Sequence, residues 1–92
     1  MFKLEYLDKE IAPMNRVLLA VHYAIPKMEF GKRYLLRELV EMGTPGLWNK
    51  FNLRQRKEIG YTFAGMVSNN KIPEIDYYDP TQRPIKYVAV IY

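Results

Sequence analysis

The chain has 92 residues, of which 49% are hydrophobic and 26% charged, and it holds no Cys and a single His. That length furnishes one hydrophobic core, so a two-domain enzyme is excluded, and the composition is that of a folding domain rather than a disordered chain. Neither a disulfide framework nor a thiolate or multi-imidazole metal site is available, so no metal or cofactor is implied, and a cytoplasmic setting fits.

The net charge of +4 is unevenly spread. Residues 1–30 and 61–92 each balance to zero. Residues 31–60 carry Lys32, Arg33, Arg37, Lys50, Arg54, Arg56 and Lys57 against Glu38, Glu41 and Glu58, and so hold the whole excess. Such asymmetry points to a polyanionic partner rather than to a fold. The longest apolar stretch, 17–25, is interrupted by His22 and is far shorter than the ~20 residues of a membrane span. Residues 1–10 lack a basic region followed by an apolar one, so neither a span nor a signal peptide is expected.

In chain order, residues 1–7 alternate Phe2, Leu4 and Tyr6 with Lys3 and Glu5, which suits a strand or an extended arm over 1–12. From Pro13 the apolar positions Met14, Val17, Leu18, Val21 and Ile25 recur at helical steps, predicting a helix over 13–24 that Pro26 ends. His22 beside this face reads as a partly buried, satisfied imidazole. Lys32 to Tyr34 form a brief strand ahead of a second helix, patterned by Leu35, Leu36, Leu39, Val40 and Met42 and stopped by Gly43. Thr44 and Pro45 suit a cap and a first-turn proline for a short helix bearing Leu47, Trp48 and Phe51, with both aromatic rings expected in core or corner packing.

Asn52 and Gln55 then match a capping box that opens a long helix. Ile59, Phe63, Met66 and Val67 recur at helical spacing, Asn69 or Asn70 suits a left-handed cap, and Pro73 forbids continuation. Gly60 and Gly65 each lower helix propensity by about 1 kcal/mol, which predicts a second element packed close against the backbone there. Two strand-like runs, 72–78 and 85–92, flank a loop over 79–84 and predict a hairpin. Its second strand is apolar on both faces, so it is covered twice or presents a patch to a partner.

Catalysis is not expected. The acid pairs Asp76 with Asp79 and Asp8 with Glu10 lack an accompanying base, nucleophile or glycine-rich loop, and Ser68, the only serine, has no partner histidine. The basic run is more informative. Arg54, Arg56 and Lys57 occupy a helix N-terminus, the end already carrying positive partial charge, where acidic residues are the usual choice. Sequences break such local rules at functional sites, and Arg grips phosphate or guanine while Gln55 suits adenine. The plain alternative is a solvated basic face.

Helix, short strand, helix, turn, long helix and terminal hairpin resembles, over 13–92, the winged helix-turn-helix family. The run Trp48, Arg56, Ile59, Gly60, Phe63 and Val67 looks like that of small uncharacterised single-domain proteins of Gram-positive bacteria and their mobile elements. The resemblance implies an α+β winged-helix domain over 1–92, with three main helices and a C-terminal hairpin wing. It further implies a transcriptional regulator or mobile-element accessory protein that binds double-stranded DNA. Arg54, Gln55, Arg56 and Lys57 would face the major groove with Lys50 just ahead of them. The loop at Gln82 and Arg83, with Lys86 beside it, would be the wing that touches a flanking phosphate or the minor groove. Winged helices also dock proteins. An adaptor or inhibitor using the terminal hairpin and exposed Tyr77, Tyr78, Tyr87 or Tyr92 is therefore the second expectation, and a homodimer through the last strand is compatible with either.

Overall fold

A computed structural model describes residues 12–79 and 81–90. The arm or strand expected over 1–12 lies outside the described residues except for Ala12, as do Ile91 and Tyr92. The fold is α+β, with three helices and a small antiparallel sheet.

Helix α1 (Pro13–Ala24) begins with proline at its first position, where no intrahelical N–H is needed, and buries Val17, Ala20, Val21 and Ala24 on one stripe. A single 3-10 turn (Ile25–Lys27) follows it. The loop returning to the sheet is tied down by the Glu29 N–H, which donates to the Tyr34 hydroxyl at 2.9 Å. Strand β1 is only Tyr34–Leu35, later than the expected strand over 32–34. Helix α2 (Leu36–Gly43) starts there because the Glu38 carboxylate accepts the Leu35 N–H at 2.7 Å, placing an acid on the positive helix end. Its last residue meets α1 closely, since a Cβ added at Gly43 would lie 1.7 Å from the Ala20 carbonyl oxygen. Glycine permits that approach.

The segment after α2 differs from the expectation. Thr44 and Pro45 do not open a helix; they begin a tight turn in which Pro45 precedes Gly46 at φ +87° and the Leu47 N–H donates to the Thr44 carbonyl at 3.1 Å. Proline followed by a left-handed glycine is a turn signature, and it outcompetes the capping pattern. Only a 3-10 turn (Trp48–Lys50) comes after it. Helix α3 (Leu53–Ser68) ends as the sequence suggests. Asn70 takes φ +55°, and the N–H groups of Asn70 and Lys71 return to the carbonyls of Val67 and Met66.

Strands β2 (Ile75–Tyr77) and β3 (Lys86–Ala89) form the hairpin, shorter than the runs that predict it, and the sheet order is β1-β3-β2. Tyr87 pairs across the sheet with Tyr34 on one side and Tyr77 on the other. Its ring meets Phe63 edge-on at 5.0 Å, so sheet and α3 are joined by an aromatic contact in the middle of the core. Ile59, Phe63 and Val67 of α3 pack into that core with Leu39 and Val40 of α2 and with Ile72.

Candidate nucleic-acid interface

The capping box of α3 forms in both directions: the Gln55 N–H donates to Asn52 Oδ1 at 2.8 Å and the Asn52 N–H to Gln55 Oε1 at 2.9 Å. This fixes where the helix begins, and so puts Arg54, Arg56 and Lys57 in its first two turns. The same bonds commit the Gln55 side-chain oxygen to the cap, leaving only its amide nitrogen for any base edge.

A groove of about 930 Å³ runs between α3 and the hairpin, with α2 at one end. Arg37 from α2, Arg56 and Lys57 from α3, and Arg83 from the hairpin loop all line it. Among the described residues that line it, none is acidic. Fields of one sign with low-dielectric walls add within a cleft, so these cations act together on an anion. Among the described residues no ion pair engages Arg37, Arg56 or Lys57. Arg56 holds its guanidinium 5.8 Å from the Trp48 ring centre, and its Nε–H is buried without a hydrogen-bond partner. Ring packing, not a carboxylate, therefore positions this arginine.

The other candidates are placed differently. Arg54 sits outside the groove and pairs with Glu58 at 3.3 Å, both side chains being largely exposed. Such a pair contributes a few tenths of a kcal/mol and breaks at little cost. Lys50 ends the 3-10 turn as an exposed cation away from the groove lining. Lys86 alternates with Ile85 and Tyr87, which line the groove, so its side chain leaves the opposite face of the sheet. Among the described residues of the hairpin, Arg83 is the one cation that lines the groove.

The acid of the same loop is engaged locally. Asp79 accepts from the Thr81 backbone N–H at 3.0 Å and from its hydroxyl at 2.8 Å. These two bonds hold the carboxyl below the ordinary aspartate range and turn it into its own loop. Asp76 likewise accepts the adjacent Tyr77 N–H at 2.8 Å.

Of the tyrosines expected to form an exposed docking surface, Tyr87 is buried, Tyr77 half-buried and Tyr78 exposed, while Tyr92 lies outside the described residues. Tyr87 is 2% exposed, and burial, with the neighbouring Tyr77 hydroxyl second, pushes its phenol far above the usual range despite an opposing pull from Arg83. Tyr77 is half-buried and its hydroxyl donates to the Ala64 carbonyl on α3. Tyr78 remains 43% exposed beneath the Arg33 guanidinium, 3.8 Å from the ring centre. Two short strands fold the buried rings onto α3, a tertiary fact that strand alternation alone does not give.

Two features of the groove go beyond the candidates that the sequence supplies. Arg37 contributes to the central charge excess, but only the fold brings α2 to the groove. Tyr61, 81% exposed on α3, is legible in principle: it lies two residues from both Ile59 and Phe63, hence on the helix face opposite the core. Gly60 and Gly65 overturn an expectation. Among the described residues no element packs against them, and a Cβ at either would meet nothing within 4 Å. They face the groove instead.

Among the described residues no group of three His, Cys, Asp or Glu is arranged to hold a metal ion, and no helix is long and apolar enough to cross a membrane. Comparisons of the chain with protein-family models, with curated proteins and with solved structures find no match.

Proposed function

We propose that this chain is a winged helix-turn-helix protein that binds double-stranded DNA, with α3 as the recognition helix and the 78–85 connection as the wing. One observation carries the reading: Arg37, Arg56, Lys57 and Arg83, drawn from two helices and the hairpin loop, line a single groove with no acid among the described residues that line it. The element order and a β1 strand added beside the hairpin support the winged-helix part. Phosphates are attracted both by these cations and by the α3 N-terminus, and such contacts supply most of the affinity of non-specific duplex binding. Arg56 and Lys57 are the residues nearest to base edges in this reading, Arg83 grips backbone phosphate, and Arg54 joins once its exposed pair with Glu58 opens. The adaptor reading loses support, because Tyr87 is buried and Tyr77 is engaged with α3.

Amide chemical-shift mapping with a mixed-sequence duplex tests the proposal. The expected result is perturbation concentrated on 53–61, Arg37 and 81–85. Shifts confined to α1, or none at millimolar DNA, overturn it.

A further inference from the structure

Duplex DNA offers phosphates and groove edges to a protein, while the flat faces of its bases stay in the stack. The floor and walls here suit flat faces. Tyr61 stands at one wall with 81% of its surface exposed, Trp48 stands at another, and the α3 backbone between them is bare at Gly60 and Gly65. Among the described residues nothing requires a glycine at either position, since a Cβ at each would meet none of them within 4 Å and neither takes a left-handed φ. Their effect is to let a planar group lie against the helix backbone beneath the cations. A groove that combines a one-sign cationic rim with aromatic stacking surfaces is the arrangement that holds an unpaired nucleic-acid strand.

On the DNA-binding reading above, we infer that the groove between α3 and the hairpin takes a short single-stranded segment, so that the preferred substrate is DNA with an unpaired tail beside a duplex. The duplex lies on the exposed N-terminal face of α3. The tail passes between Tyr61 and the hairpin loop, its phosphates on Arg37 and its bases against Tyr61 and the glycine surface, while Lys57 and Arg83 stay on the duplex. Stacking on aromatic rings accepts any base, so the preference follows the unpaired character of the tail and not its sequence.

Fluorescence anisotropy tests this with two labelled probes: a blunt duplex of about 20 base pairs, and the same duplex with a tail of about ten thymidines, within the roughly 4–16 nucleotides that a single-strand site spans. The wild-type chain is expected to bind the tailed probe roughly ten-fold more tightly, the fold-change of one good stacking contact. Tyr61→Ala should bring the ratio of the two affinities close to one, and Gly65→Leu, which fills the floor, should do the same. Thermal melting by circular dichroism checks that both variants are folded, and Tyr61→Ala keeps the test decisive if Gly65→Leu is not. Equal wild-type affinity for the two probes overturns the inference and leaves duplex binding standing. A tail preference that both folded variants retain overturns the assignment to this groove. Binding to neither probe removes the duplex reading together with the inference.

Discussion

At the seam between α1 and α2, Gly43 sits so close to the Ala20 carbonyl that an added Cβ would lie 1.7 Å from its oxygen, whereas on α3 Gly60 and Gly65 face a groove with nothing within 4 Å. The residue type is the same and the reason for it is opposite. Gly43 serves the fold, because two helices cross at backbone distance there. Gly60 and Gly65 weaken the helix they belong to and gain no contact with any described residue for it, so what sets them apart from Gly43 is the groove they face. The charges follow the same division. The α1 and α2 seam is closed by Val17, Ala20, Val21, Leu39 and Val40, all fully buried, while the α3 and hairpin side gathers Arg37, Arg56, Lys57 and Arg83.

The sharpest way to break this comparison is Gly43→Ala. Its methyl group collides with backbone rather than with a side chain that can turn away, so a loss of about 3 kcal/mol is expected in urea unfolding, at the upper end of overpacking costs. A loss below about 0.5 kcal/mol would show that the seam is loose. Asn52→Ala should cost about 1 kcal/mol by the same measurement, since it removes the acceptor for the Gln55 N–H at the start of α3. Gly60→Ala and Gly65→Ala should move the other way. Each is expected to raise stability by up to about 1 kcal/mol, because alanine suits a helix better and the added methyl meets no neighbour. Destabilisation by either would mean that some element packs there after all. The smallest effect should come from Arg54→Ala, within about 0.5 kcal/mol of wild type, because its pair with Glu58 lies in solvent.

The same contrast separates what the sequence reveals from what it hides. Helix α1 is legible to the residue, and the start of α3 is fixed by Asn52 and Gln55, because caps and apolar periodicity are local properties. The +4 excess in 31–60 includes three of the four cations that line the groove. The role of each glycine is not legible. Gly43 reads only as a helix stop, and Gly60 and Gly65 as sites of close packing, since propensity records the cost of a glycine but not which neighbour it faces. Thr44 and Pro45 mislead for a related reason: a threonine before proline fits a helix cap and a tight turn equally well until Gly46 takes its positive φ. Lys86 groups with Arg83 by nearness in sequence, and strand alternation sends it to the other face of the sheet.

The most direct test of the central claim is the salt dependence of duplex affinity for the wild-type chain and for Arg56→Gln and Arg83→Gln, measured by anisotropy between low and moderate ionic strength. The groove account expects the logarithm of affinity to fall linearly with the logarithm of salt, Arg83→Gln to reduce the slope by about one, as removal of a single phosphate-binding cation does, and Arg56→Gln to weaken binding with a smaller change of slope. A flat wild-type response, or slopes unchanged in both variants, would contradict it.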